Sequence, residues 1–448
     1  MNLRITDGTT TILLSGSDGT YAASYGVTYF PSTGDGATLT EQVQWILSGT
    51  VANIRSATNV VERLLNDARR RRQTQVGARV WLEYRPVGTD DYYRSEIFDG
   101  RLVWSSEPGE RMITQSTSAR VRVAVIVERA AWWEGAEAEL QLSTSNASAA
   151  TGGRTIYNHD DTGTGHDNWV QIANTQVGGV LPAPVRVELT NTVGSAQSYR
   201  KLFMATNAFG TPASFTHILE AEDASGGGTP TADANCSAGN YLAISLGTGV
   251  DLSLAWTISA AQLGYTLGRY FRVLARFQDT TGDATVRMAV YDSAGTTLLY
   301  AGETIVFSAA DQYGIIKDLG TIPLPPGGYT SSYTAITLVM EITGPLIAEL
   351  DYLQLTPVDA YRYVELFGAA VANNAAIVDD GLEGITYVRT SSAAAGLASP
   401  RGEPLLVFPG KTQRLLFLHQ TVSGGNPASP IANTMSVRVY YRPRRPTV

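Results

Sequence analysis

Apolar and polar positions alternate through much of the 448-residue chain, the pattern of strands buried on one face. In TLTEQVQWILSG, Val43, Trp45 and Leu47 share one face, with Gln42, Gln44 and Ser48 opposite. In SARVRVAVIVERAAWWEG, Val121, Val123, Val125 and Val127 alternate with Arg120, Arg122 and Ala124. RITD, TTILLSG, VTYFPST, ARVWLEYRPV (78–87) and YYRSEIFDGRLVWSS (92–106) read as further strands, separated by turn-forming residues. The period changes after Gly49. Val51, Ile54, Ala57, Val61, Leu64, Leu65 and Ala68 recur at helical spacing and predict one helix over 50–72. Thr50 is suited to cap its start, and Arg69 to Arg72 suit the negative end of its dipole.

These runs fall into three groups. Residues 1–135 form a β unit carrying the helix. Residues 136–213 and 358–448 each hold too few strands to close a sandwich alone, so they are expected to be halves of one split β-sandwich. Residues 214–357 read as a complete β domain set inside it. The fold class expected is mainly β.

Composition narrows the function. The chain is 44% hydrophobic and 17% charged, with 44 Gly and a formal net charge of −8. The acidic balance argues weakly against nucleic-acid binding. Cys236 is the sole cysteine, so no internal disulfide is possible. MNLRITDGTT lacks the apolar core of a signal peptide, and no run of about 18 apolar residues reads as a membrane helix. Synthesis in a cytoplasm is expected. No Gly-x-Ser-x-Gly elbow, phosphate loop or dinucleotide fingerprint is present, and no enzyme is expected.

Candidate chemistry is sparse. Glu220 and Glu222 stand at i, i+2 in ILEAED and point to one face if the segment is a strand. Asp351, in AELDYLQLTP, joins them if the first and last strands of 214–357 are neighbours. Three carboxylates so placed suit a structural Ca²⁺, or are solvated surface acids. HDDTGTGHDNW (159–169) gathers His159, Asp160, Asp161, His166 and Asp167, which suit a transition metal but also a Gly- and Thr-rich turn. Asp379, Asp380 and Glu383 in VDDGLEG read as a turn rather than a glycosidase pair. The arginines of 69–72 and 442–445 read as solvated or as phosphate contacts.

Two resemblances extend this reading. ILEAED, GRYFRVLARFQD (268–279) and LDYLQLTP make 218–357 similar to carbohydrate-binding modules of the family 6 and family 35 kind. That implies a β-jelly roll with a structural calcium on Glu220, Glu222 and Asp351. It also implies a sugar site on loop aromatics, for which Tyr241, Tyr313, Tyr329 and Tyr333 are the candidates. The segment departs from the pattern in having no Asn in its last strands. The order of strand, VERLLNDARRRR helix, VWLEYRP, YRSEIFDGRL and VAVIVERAAWWEG resembles siphophage distal tail proteins, as do FPGKTQRLLFL and VYYRPRR near the end. That resemblance implies a virion structural protein at the tail tip, a hexameric ring subunit joining tail tube and tail-tip proteins. The split sandwich would then be galectin-like, and 214–357 would touch host cell-surface glycan. The other class left open is a soluble glycan-binding protein or an accessory module of a polysaccharide-degrading system.

Overall fold

In the computed structural model the described residues are 2–17, 21–29, 37–104, 119–160, 165–207, 217–266, 269–307, 316–324, 335–390, 394–421 and 434–446. The protein is mainly β and built of antiparallel sheets. Among the described residues there are two α-helices, Val51–Thr74 and the short Ala260–Thr266, the second of which the sequence pattern does not announce. No helix among them is long and apolar enough to cross a membrane. The chain forms two compact units. The first comprises 1–137 with 179–181 and 442–448, and the second comprises 138–178 with 182–441.

The first unit is one sheet with a helix on it. The strand order is Thr11–Leu13, Asn2–Thr6, Val80–Arg85, Tyr93–Trp104, Ala119–Ala130, Thr38–Gly49, Tyr21–Tyr29 and Gly16–Ser17. Trp45 lies opposite Val123, and Leu47 opposite Val121, so the two alternating runs bury their apolar faces together. The helix Val51–Thr74 buries Ile54, Ala57, Val61, Leu64, Leu65 and Ala68 in the same core. Thr50 caps it, its Oγ1 accepting from the Asn53 amide at 3.1 Å. At its other end Arg69 pairs with Asp99 at 2.7 Å and Arg72 with Glu128 at 2.7 Å. These arginines are thus tied to the sheet beneath.

The second unit holds four sheets. One runs Ala138–Glu139, Met435–Tyr441, Ala183–Asn191, Ala376–Asp380, Ile385–Arg389 and Ala394–Leu397. Another runs Trp169–Ile172, Gln413–Thr421, Gln197–Asn207, Tyr361–Val371 and Ser399–Arg401. Strands from before 208 and after 360 therefore interleave in both, around one core that includes Val187, Leu202, Ile377, Phe417 and Val437. The other two sheets use only 218–357. Their orders are Thr229–Ala232, Asn240–Leu246, Leu346–Pro357, Tyr270–Thr281, Ile316–Pro323 and Asp251–Ser259, Ala335–Thr343, Ala284–Asp292, Leu298–Phe307. Trp256, Phe271, Phe277, Met288, Leu338 and Leu350 fill the space between them. Ile218–Glu220 pairs with Leu346–Pro357, bringing the first and last strands of this stretch side by side.

Candidate functional site

The neighbouring first and last strands bring Glu220 and Asp351 close. Glu220 lies opposite Tyr352, and the Ala221 amide donates to the Asp351 carbonyl at 3.0 Å. Ser237, at a turn before Asn240–Leu246, stands between the two side chains. Its amide donates to Asp351 Oδ1 at 2.8 Å, and its Oγ lies 2.7 Å from Glu220 Oε1. The other Asp351 oxygen meets the Arg276 guanidinium in an ion pair buried on both sides, with side chains 0% and 1% exposed. A cation expected at Asp351 is thus supplied by the protein itself.

Glu220 reaches a different state. Burial is the main cause that pushes its pKa up to about 8; the Ser237 hydrogen bond opposes this, and the charges of Glu222, Asp160 and Asp223 add to it. The geometry agrees. Ser237 Oγ lies 2.7 Å from both Glu220 Oε1 and the Asp160 carbonyl, yet a hydroxyl carries a single proton. A protonated Glu220 resolves the conflict by donating to Ser237, which donates to Asp160. Glu222 is also raised, by burial first and then by Asp223, with a hydrogen bond to Asn240 acting against it.

These residues do not form the three-carboxylate set expected for calcium. Asp351 faces Arg276 in a buried ion pair. Glu220 Oε2, Glu222 Oε2 and Asp351 Oδ2 are all buried without a hydrogen-bond partner among the described residues, the last of them facing Arg276 as an ion pair only. Even so, no group of three or more His, Cys, Asp or Glu among those residues is gathered to hold a metal.

Of the polar stretch 159–169, residues 161–164, Asp161 among them, lie outside the described residues, and the remainder packs on its neighbours. His159 Nε2 lies 2.9 Å from His166 Nδ1, and Tyr157 stacks on His166 at 4.2 Å. Asp167 accepts from the Ser145 amide at 2.9 Å and hydroxyl at 2.7 Å, and Asp160 accepts from Trp169 Nε1 at 3.2 Å. Its neighbour Asn168 begins a buried polar path toward 218–357. Asn168 Nδ2 donates to Gln354 Oε1 at 2.8 Å, and Asn168 Oδ1 is 3.0 Å from His217 Nε2. Burial, with the Arg414 charge, lowers the His217 pKa to about 3, so the ring is neutral and Nε2–H is the donor. Tyr352 donates to the Asn158 carbonyl at 2.7 Å. Phe203, Ile218, Leu274, Ile316, Tyr352, Tyr361 and Leu418 form an apolar cluster beside this path. None of this cross-chain network is visible in the local sequence.

VDDGLEG is a turn at Asp380, whose Oδ1 accepts from the Leu382 and Glu383 amides at 3.0 Å each. Asp379 instead is buried and bound to Arg362 at 3.0 Å. Cys236 is buried, and burial pushes its thiol up to about 11, leaving it a poor nucleophile. Near the end of the chain, Arg442 pairs with Glu137 at 3.3 Å and Arg444 with Glu134 at 2.8 Å. Tyr241 sits partly buried in the strand Asn240–Leu246 rather than in a loop, its hydroxyl raised by burial and by Glu349. Tyr313, Tyr329 and Tyr333 lie outside the described residues.

No family profile matches the chain, and no curated protein matches it. Among solved structures it is similar to a chain of the phage P2 baseplate, in its activated conformation with Ca, at 10% identity and a TM-score of 0.27, covering 100% of this chain and 99% of that one. It is also similar to a protein of Parabacteroides distasonis at 8% identity and a TM-score of 0.18, covering 57% of this chain and 99% of that one. Likeness at this level leaves fold and function to be read from the chain itself.

Proposed function

We propose that the chain is a virion structural protein of a phage tail tip. In this reading it is a distal-tail or baseplate ring subunit that joins the tail tube to host-binding parts. Residues 214–357 act as an inserted module that touches host-surface glycan. The observation that carries the reading is the first unit. A strand, a capped helix and a returning strand follow one another as in the tail proteins the sequence resembles, within one antiparallel sheet. The strand order begins with Thr11–Leu13 and ends with Gly16–Ser17, which follow each other in the chain, so the sheet curls round until its two ends lie near each other. A closed ring needs two unlike surfaces on each subunit, one for each neighbouring copy. The helix buries its apolar stripe in its own unit's core, which leaves its polar face for contacts made in a ring.

The split sandwich supports the inserted-module reading. Its strands come from both flanks of 218–357, and that stretch enters and leaves on paired strands. Six copies in a ring would multiply a weak glycan contact through avidity. The proposal routes nothing through a structural calcium, since among the described residues no group of three or more His, Cys, Asp or Glu is gathered to hold a metal.

Light scattering coupled to size exclusion tests the assembly. A mass near six times 47.9 kDa is expected. A monomer that stays monomeric at high concentration and binds polysaccharide would overturn the ring and favour a soluble glycan-binding protein.

A further inference from the structure

A cavity of about 420 Å³ opens where the sheet containing Gln197–Asn207 and Tyr361–Val371 meets the strands Tyr270–Thr281 and Ile316–Pro323. Its volume falls in the range of small-ligand sites, roughly 300–1,000 Å³. One wall is aromatic. Phe203 and Tyr363 lie 5.0 Å apart between ring centroids, and Phe203 and Tyr361 lie 6.2 Å apart, each pair tilted by about 35°. Phe203 and Tyr361 are buried, while Tyr363 is half-buried and lines the cavity.

The other walls carry charge. Arg272 sits over the Tyr361 ring at 4.9 Å and pairs with Asp318, so that cation is balanced. Lys201 lies opposite Glu365 in register, and the Tyr363 hydroxyl donates to that carboxylate. Arg401 is the third cation. It is exposed, its guanidinium is 5.9 Å from the centre of the Tyr363 ring, and no carboxylate pairs with it among the described residues. The cavity therefore joins an aromatic platform to a planar cation in surplus.

We propose that this cavity binds a sugar ring bearing an anionic substituent, with the C–H face of the ring on Tyr363 and the anionic group on the Arg401 guanidinium. An apolar C–H face suits an aromatic surface, and a guanidinium fork matches a carboxylate or phosphate geometrically. The assignment rests on the reading that the chain touches surface glycan. It places a contact at Tyr363 and Arg401, on strands of the split sandwich beside 214–357, in addition to any made by 214–357 itself through Tyr241 and the other tyrosines anticipated from the sequence.

The test is NMR titration of the full chain with methyl β-glucuronide, glucose 6-phosphate and methyl β-glucoside. At least one anionic sugar is expected to bind about ten-fold more tightly than the neutral glucoside, the factor one charge-assisted contact supplies. Whichever of the two binds more tightly identifies the anionic group as carboxylate or phosphate. Arg401→Gln, at an exposed position, should abolish that preference, and Tyr363→Ala should weaken all binding while Tyr363→Phe retains it. Equal affinity for charged and neutral sugars, an unchanged Arg401→Gln, or no binding of either anionic sugar would overturn the site. A parallel measurement on bacterial surface polysaccharides separates the two ideas. Polysaccharide binding indifferent to Arg401→Gln sinks the cavity and leaves the glycan reading standing. Binding of an anionic monosaccharide without any polysaccharide binding sinks that reading and leaves the cavity.

Discussion

Replacing Arg276 with methionine removes the cation that faces Asp351 while keeping most of the side-chain volume. Both partners are essentially inaccessible, at 1% and 0% exposure. The variant leaves a buried carboxylate held only by the Ser237 amide. Breaking one side of such a pair costs about 3–5 kcal/mol, a large share of the stability of any single domain. Asp351→Asn in the same chain keeps an acceptor for Ser237 and removes the stranded charge, so the double variant should recover much of the loss. Urea unfolding gives the magnitude, and hydrogen exchange read on peptides of 218–357 assigns it to the right region. Each measurement is made in EDTA and in excess calcium. Wild-type stability should be the same in both. If Arg276→Met costs under about 1 kcal/mol in calcium while the wild type weakens in EDTA, then a metal rather than a guanidinium holds Asp351 and the argument fails.

Four further outcomes follow from the structure. With its folded pKa raised to about 8, Glu220 binds a proton in the folded state that it has lost in the unfolded chain between its ordinary value and pH 8. The resulting stabilisation is complete below the unfolded pKa and is lost as pH rises toward 8, with a slope of at most about 1.4 kcal/mol per pH unit; Glu220→Gln should flatten this part of the pH–stability curve, and an unchanged curve would refute the assignment. Thr50→Ala removes the helix cap and should cost about 1 kcal/mol in thermal or chemical unfolding of the first unit. Deleting 218–357 behind a short linker should leave the two shared sheets folded by circular dichroism, though with a lower Tm because Phe203, Tyr361 and Leu418 lose their cover; complete unfolding would rule out an inserted domain. Arg362→Leu strands the buried Asp379 and should destabilise by about 3 kcal/mol or more, a loss that urea titration would detect at once.

What the sequence discloses here is what depends on period. The helix observed at Val51–Thr74 matches the expected 50–72 because its buried positions repeat every three or four residues. The valines from 121 to 127 are all in the core because alternation fixes a strand's face. The mainly β class follows from the same signal. Ion pairs carry no period. Arg276 and Asp351 meet through strands distant in sequence, so the carboxylate that looks like a metal ligand beside Glu220 is claimed by a partner the local sequence does not name. Asp379 illustrates the same limit: it reads as half of a turn, yet it is drawn inward by Arg362. The cavity beside Tyr363 is not legible in the sequence for a related reason, since Lys201, Arg272, Tyr363 and Arg401 come from four separate strands. The one available signal was YRYVELFG, an aromatic-rich strand containing an arginine.

The pairing of Ile218–Glu220 with Leu346–Pro357 also has a mechanical side. A tether attached to 218–357 would pull on two covalent connections at once, one from each flank, and each would bear part of the load. The two strands would be drawn in the same direction, so the hydrogen bonds between them would experience little shear. The stress would pass instead to the ladder joining Leu346–Pro357 to Tyr270–Thr281, which runs from Phe271 to Thr281. A body anchored this way takes load at both of its connections together, so neither end of the stretch is drawn out alone.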